Sequence, residues 1–181
     1  QVVQQPGARR RLVVHGLYVP PDEYDVLFLG PAVPLCHEDQ VLKLSRADFV
    51  CMLDEWDVWR KAYLPNFPIQ GKTVLDVGAG CGETAFFYLL NGASKVICIE
   101  PGKEKVAYLR ENVARNQWNV QVIEDVFRLE HLWLPFDFMK MDIEGAEEQL
   151  IGVPLPKPCV LEVHSRALLR SFPNENFKVL P

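Results

Sequence analysis

The sequence predicts an α/β fold, with a doubly wound, mostly parallel sheet behind an N-terminal extension. Three observations carry this reading. From residue 71 onward short apolar runs alternate with helix-like segments, the pattern of a parallel sheet covered on both faces. The first of these runs passes straight into Gly78, Gly80 and Gly82, spaced two apart, and a helix-like segment follows at once. Acidic residues then recur at the ends of successive runs: Asp76 beside the glycines, Glu100 after the second run and Glu124-Asp125 after the third.

The elements follow from local pattern. Residues 1–44 read as irregular, with short β-like runs at 11–15 and 25–30 and breaks at Pro20-Pro21, Pro31 and Pro34. Residues 45–63 read as a helix: Ser45 and Asp48 resemble a capping pair, and Phe49, Met52, Leu53, Trp56, Trp59 and Tyr63 recur at three-to-four spacing. That aromatic stripe reads as core rather than as a pocket lining. Pro65 and Pro68 end the helix.

Thr73–Val77 then reads as a strand, Glu83–Asn91 as a helix closed by Gly92, and Lys95–Ile99 as a strand. A helix is expected over Lys103–Asn116 and strands over Val120–Ile123 and Phe136–Met141. A short helix at Ala146–Ile151, a strand at Cys159–Val163 and a short helix at Ser165–Ser171 complete the pattern. The division expected is an extension over 1–63, with short strands and a helix, and a ligand-binding domain over 64–181.

Bulk properties narrow the function classes. A chain of 181 residues suits one core, and 49% hydrophobic with 24% charged residues is ordinary for a soluble globular protein. No apolar run approaches the roughly 20 residues that span a bilayer, and no basic-then-apolar leader opens the chain. A net charge of −5 argues against a general nucleic-acid binder, and Arg9, Arg10 and Arg11 read as a solvated arm. The cysteines number five, with no CxxC pair, which disfavours a zinc site or a disulfide framework. A reducing cytoplasm is the expected setting.

Ligand chemistry follows from the strand ends, where open α/β sheets bind their ligands. Glycines allow close approach and left-handed backbone, and the following helix N-terminus offers unpaired N–H groups. Glu100 is placed to accept hydrogen bonds from ribose hydroxyls, and Glu124 or Asp125 to reach an adenine amino group. The spacing is GxGxG, so it departs from the GxGxxG dinucleotide fingerprint, and no GK[ST] follows to make a P-loop.

The run Val74-Leu75-Asp76-Val77-Gly78-Ala79-Gly80-Cys81-Gly82-Glu83 resembles motif I of class I S-adenosylmethionine-dependent methyltransferases, which have a Rossmann-like fold. Val96-Ile97-Cys98-Ile99-Glu100-Pro101 is similar to their acidic second motif. The resemblance covers about residues 71–164. It implies S-adenosylmethionine as cofactor, with Glu100 on the ribose, Glu124 and Asp125 near adenine, and Gly78–Gly82 around the methionine portion. It also implies that Asp76 orients the methionine amino group. Such folds usually close with a sixth strand and an antiparallel seventh; the short stretch after His164 has room for one strand at Phe177–Leu180 but not for a pair, so the expectation is a truncated chain, a sheet shortened at its C-terminal edge, or an N-terminal strand filling that edge.

Lys140-Met141-Asp142-Ile143-Glu144-Gly145-Ala146-Glu147 ends the fourth strand, which should lie beside the first so that Asp142 faces the glycine loop. With Cys159-Val160-Leu161-Glu162-Val163-His164, this segment resembles the FkbM group of methyltransferases, which implies O-methylation of a hydroxyl on a small molecule or sugar. A hydroxyl acceptor needs a proton acceptor. The candidates are Asp142, Glu144, Glu162 and His164, the last with an ordinary pKa near ~6.5. A divalent metal on Asp142 has no ligand set fixed by the sequence, and none is assigned. A module that binds the cofactor without turnover, and a dinucleotide-dependent oxidoreductase, are the alternatives.

Overall fold

The computed structural model describes residues 2–3, 11–14, 17–19, 32–143, 145–172 and 177–180. The run expected at 25–30 lies outside them, as does Glu144. Two sheets are present. The first is antiparallel, in the order β1 (Val2–Val3), β2 (Arg11–Val14), β3 (Leu17–Val19), β4 (Ala32–His37), β5 (Gln40–Ser45). Residues 1–44 were expected to be mostly irregular, so the β4–β5 hairpin corrects that reading. Pro34 sits inside β4, opposite Lys43. Lys43 turns its N–H and C=O away from β4 to the side chain of Asn112, so Pro34 faces a position that asks it for no hydrogen bond.

α1 (Arg46–Ala62) follows directly. Ser45 caps it, its hydroxyl oxygen accepting from the Asp48 N–H at 3.2 Å. The capping pair is not a full box: the Asp48 carboxylate turns to the Ser45 hydroxyl and the Cys81 thiol, and ion-pairs with Lys105 at 3.3 Å.

The second sheet has six strands, all parallel: β11 (Phe177–Leu180), β10 (Cys159–Glu162), β9 (Phe138–Met141), β6 (Thr73–Val77), β7 (Lys95–Ile99), β8 (Val120–Ile123), in that spatial order. The fourth strand of the unit, β9, does lie beside the first, β6. The edge is filled by Phe177–Leu180, which runs parallel to β10. α2 (Glu83–Leu90) and α3 (Lys103–Asn116) supply the crossovers.

Both faces of this sheet are buried, as alternation along each strand requires. Val74, Val96, Cys98, Phe138 and Val160 point into a core shared with Trp56, Trp59, Phe86, Phe87, Tyr88 and the buried face of the N-terminal sheet. Leu75, Val77, Ile97, Ile99, Met139, Met141 and Leu161 point the other way, under Phe127, Leu132, Phe136, Leu150 and Phe172. That second face is covered by short pieces. The helix expected at Ala146–Ile151 is a 3₁₀ turn over Ala146–Leu150, and the last helix shortens to α4 (Arg166–Leu169). Gly145, left-handed at φ +100°, starts the 3₁₀ turn without a side-chain cap, and Pro154 and Pro156 prevent its extension.

The two sheets are stitched by asparagines. Asn112 and Asn116, one turn apart on α3, pair with the backbone of β5 as a neighbouring strand would. Each accepts from an N–H (Lys43, 2.8 Å; Val41, 2.9 Å) and donates to the same residue's carbonyl (2.8 Å both). The edge of β5 is thereby satisfied.

Candidate active site

β6 delivers the glycine loop at the C-terminal edge of the sheet. Gly78 has φ +75°, and a Cβ there would lie 1.8 Å from the backbone oxygen of Asp142. The loop after β9 therefore rests on bare backbone, which only glycine allows. A Cβ on Gly80 would meet the Glu83 carboxylate at 2.3 Å. Ala79 and Gly82 are buried beneath the loop; Gly82 caps α2 in left-handed conformation.

Glu100 ends β7, 7% exposed, and accepts from the Gly80 N–H at 3.0 Å and the Gly102 N–H at 2.8 Å. It thus ties the glycine loop to the start of α3. Beneath the loop, fully buried Asp76 accepts from the Thr84 hydroxyl. Lys140, 1% exposed, stands 3.3 Å from Asp76 Oδ1 and 3.8 Å from Asp142 Oδ2, and donates to the Gly78 carbonyl at 3.0 Å. Burial raises the Asp76 pKa against the pull of Lys140. Burial also opposes the charge on Lys140, but the carboxylates of Asp76 and Asp142 outweigh it and its pKa rises. A raised Asp76 pKa favours its neutral acid, whereas the raised Lys140 pKa draws on an ionised Asp76. The charged lysine is the firmer of the two, because it faces two carboxylates and a carbonyl.

Two cavities flank the loop. One, about 370 Å³, is lined by Gly78, Gly80, Glu83, Glu100, Pro101, Asp48, Lys105, Lys140, Asp142, Trp59 and Tyr63, among others. Trp59 is therefore core and lining at once. Glu83 Oε2 is shielded from solvent with no hydrogen-bond partner among the described residues. Although the residue as a whole is half-buried, desolvation and the nearby Asp48 push its pKa up to about 8. The other cavity, about 220 Å³, is apolar apart from Gln149, with Val77, Ile99, Val126, Phe127 and Ala146 in its wall. Gly78, Pro101 and Ile143 line both. Glu124 pairs with Arg110 (2.7 Å) and Asp125 with Arg128 (2.8 Å); neither is among the residues lining these two cavities, and the next two, Val126 and Phe127, line the smaller one.

On the other side of Asp142 lies a polar cluster. Tyr63, which follows α1, donates its hydroxyl to Glu162 Oε2 (2.5 Å) and stands 3.3 Å from Asp142 Oδ2. Burial and the charge of Asp142 push the Tyr63 pKa far up, so it is a phenol. Its ring stacks on Trp59 and lies 5.4 Å below Lys140 Nζ. Burial, against the Tyr63 hydrogen bond, also raises the Glu162 pKa. His164 places Nδ1 3.0 Å from Glu147 Oε1 and Nε2 3.5 Å from Asp142 Oδ1. The fold brings Asp142, Glu162 and His164 together. Sequence reading missed three participants. Lys140, a cation inside an otherwise apolar strand, was a legible sign of a buried partner. Tyr63 and Glu147 carry no such local sign.

No family model matches the chain. Among curated proteins, protein 158B of Sulfolobus islandicus rod-shaped virus 1 is 28% identical over 106 residues, 57% of this chain and 66% of that one. The ribosomal protein L11 methyltransferase of Thermotoga maritima is 37% identical over 60 residues, 33% of this chain and 23% of that one. The chain thus spans less than two thirds of either relative. Among solved structures, a candidate transferase of Pyrococcus horikoshii aligns over 71% of this chain and 50% of its own, with TM-score 0.50 at 19% identity, a likeness of fold. An S-adenosylmethionine-dependent methyltransferase of Mesorhizobium loti is 26% identical over 48% of this chain and 38% of its own, at TM-score 0.38. The fold is the Rossmann-like α/β fold. Among the described residues, no helix is long and apolar enough to cross a membrane.

Proposed function

We propose that this chain binds S-adenosylmethionine at the glycine loop and transfers its methyl group to a hydroxyl of a small molecule or sugar, in the manner of the FkbM-like enzymes its motifs resemble. The observation that carries the reading is the pair of cavities meeting at Gly78, Pro101 and Ile143 beside the Glu100 carboxylate. An apolar slot next to a polar, acid-lined chamber suits a ligand with a flat heteroaromatic ring at one end and a charged amino-acid arm at the other. The carboxylates of Asp48, Glu55, Glu100 and Asp142 in the wall of the polar chamber fit a cationic arm better than a pyrophosphate. That chemistry disfavours a dinucleotide.

Bound there, the cofactor supplies an electrophilic methyl on a positively charged sulfur. The chain's own residues then have distinct tasks. Glu100 holds the ribose hydroxyls while bracing the loop through Gly80 and Gly102. Asp76 and Lys140 fix the loop from below. Asp142 and Tyr63 line the chamber and also belong to the cluster with Glu162 and His164. That cluster holds the acceptor hydroxyl and takes up its proton, a contribution of roughly 10²–10⁴-fold where base catalysis is needed. Placing the acceptor against the methyl supplies much of the remainder.

The test is transfer of a radiolabelled methyl group to a panel of hydroxyl-bearing small molecules and sugars. Label in product that disappears with Asp142→Asn supports the reading. Tight cofactor binding with no product on any acceptor would leave a binding module. Transfer to a protein instead, the acceptor class suggested by the name of the Thermotoga maritima relative, would keep the chemistry and replace the acceptor.

A further inference from the structure

We infer that Asp142, Glu162 and His164 form a binding site for one divalent first-row transition ion of the Mn²⁺ or Fe²⁺ kind. Each of the three offers one ligand atom, and these atoms lie within 4.8 Å of one another. The donor set is two carboxylates and an imidazole. Carboxylate oxygen alone suits Mg²⁺ or Ca²⁺, whereas an added imidazole nitrogen favours a transition ion.

The orientation of each ligand is set from outside the cluster. Glu162 uses Oε2 to accept from Tyr63, leaving Oε1 toward His164 at 3.9 Å. Asp142 directs Oδ2 to Tyr63 and Lys140, leaving Oδ1 toward His164 at 3.5 Å. His164 directs Nδ1 to Glu147, leaving Nε2 toward both carboxylates. A carboxylate on one ring nitrogen fixes the tautomer and turns the other nitrogen into a lone-pair donor, the arrangement that orients metal-bound histidines. Metal bonds of about 2.1 Å put adjacent ligand atoms roughly 3.0–3.5 Å apart, so the separations here need only small side-chain rotations.

Charge gives the second, independent argument. Glu147 is fully buried and reaches the cluster through His164, yet its Oε2 has no hydrogen-bond partner among the described residues. A buried carboxylate behind His164, with two further carboxylates in front, is costly without a compensating positive charge, which an imidazolium or a bound metal ion supplies. Lys140 is shared with Asp76 and stands 3.8 Å from Asp142 alone among these acids. An ion on Nε2, Oδ1 and Oε1 polarises the imidazole and gives Glu147 a positive partner through the ring. This site does not depend on what the glycine-loop cavities bind.

The experiment is titration of the intact chain with Mn²⁺, followed by the loss of the free-ion electron paramagnetic resonance signal, with S-adenosylhomocysteine binding measured on the same samples. One Mn²⁺ per chain is expected. Affinity should fall at least tenfold in Glu162→Gln and in His164→Ala, and roughly 10–100-fold in Glu147→Gln, whose residue reaches the cluster through the histidine. Retained S-adenosylhomocysteine binding in Glu162→Gln shows that the variant is folded. A wild-type chain that binds S-adenosylhomocysteine but leaves Mn²⁺ free overturns the inference, as do variants that bind Mn²⁺ as well as wild type. Mn²⁺ binding without S-adenosylhomocysteine binding would leave this site standing and remove the proposed cofactor.

Discussion

Lys140 Nζ lies 3.3 Å from Asp76 Oδ1 in the floor of the glycine loop, with both side chains at most 1% exposed. Removing the lysine leaves a buried carboxylate unpaired, and breaking such pairs from one side costs about 3–5 kcal/mol. Lys140→Met should therefore lower the urea midpoint sharply. Lys140→Met combined with Asp76→Asn should regain part of the loss, because no uncompensated charge remains. Equal loss in the single and double variants would mean that the pair is not coupled.

Gly78 is the contact between that floor and the reaction side. Gly78→Ala carries a left-handed penalty of about 1–2 kcal/mol, and its methyl collides with the Asp142 carbonyl. Separation of the two loops should cut S-adenosylhomocysteine affinity at least tenfold in calorimetry while far-ultraviolet circular dichroism stays as in wild type. Unchanged affinity would show that this approach is not needed for binding.

Glu83 gives a pH signature. Its pKa in the folded chain is about 8 against an ordinary 4.5, so between these values the folded chain holds a proton that the unfolded chain has released. The contribution of this group to stability is complete below about pH 4.5 and declines as pH rises to about 8. Glu83→Gln lacks that decline. The difference in urea midpoint between pH 5.5 and pH 8.5 should therefore shrink in the variant; an identical difference would place the Glu83 pKa near its ordinary value.

Asn112 joins β5 to the glycine loop. It bonds both backbone groups of Lys43 and donates to the Cys81 carbonyl at 2.9 Å, in a fully buried position. Asn112→Ala leaves those groups without the side chain, at about 1–3 kcal/mol for each buried group left unsatisfied. Hydrogen exchange should quicken at Lys43 in particular. Protection at Lys43 equal to wild type would mean that β5 is held by its hairpin partner alone.

The parallel sheet was legible because its strands are short apolar runs bounded by glycine, proline or acids. Thr73–Val77, Lys95–Ile99, Val120–Ile123 and the helix Lys103–Asn116 have the boundaries the pattern predicts. The β4–β5 hairpin was not legible, since Pro31 and Pro34 read as breaks and the partner that makes Pro34 tolerable, Asn112, lies 78 residues further along the chain in α3. Glu100 and Asp142, singled out by their strand-end register, both line the larger cavity. Glu124 and Asp125 share that register and pair with Arg110 and Arg128, while the next two residues, Val126 and Phe127, form the wall of the apolar cavity. Tyr63 could not be separated from a helical aromatic stripe, because its hydroxyl contacts are made 79 and 99 residues away.

Tyr63 also offers a clean separation of chemistry from binding. Tyr63→Phe keeps the ring on Trp59 and removes only the hydroxyl that orients Glu162 and Asp142. Methyl transfer should fall roughly 10–100-fold with S-adenosylhomocysteine affinity unchanged. Parallel losses in both would assign Tyr63 to the cofactor.

The most direct test of the cofactor assignment is calorimetric titration of the wild-type chain and of Glu100→Ala with S-adenosylhomocysteine, with NAD as comparison. The account predicts saturable one-to-one binding by wild type, weaker by at least tenfold in Glu100→Ala, and no heat from NAD. Binding of NAD in place of S-adenosylhomocysteine, or equal affinity in Glu100→Ala and wild type, would contradict it.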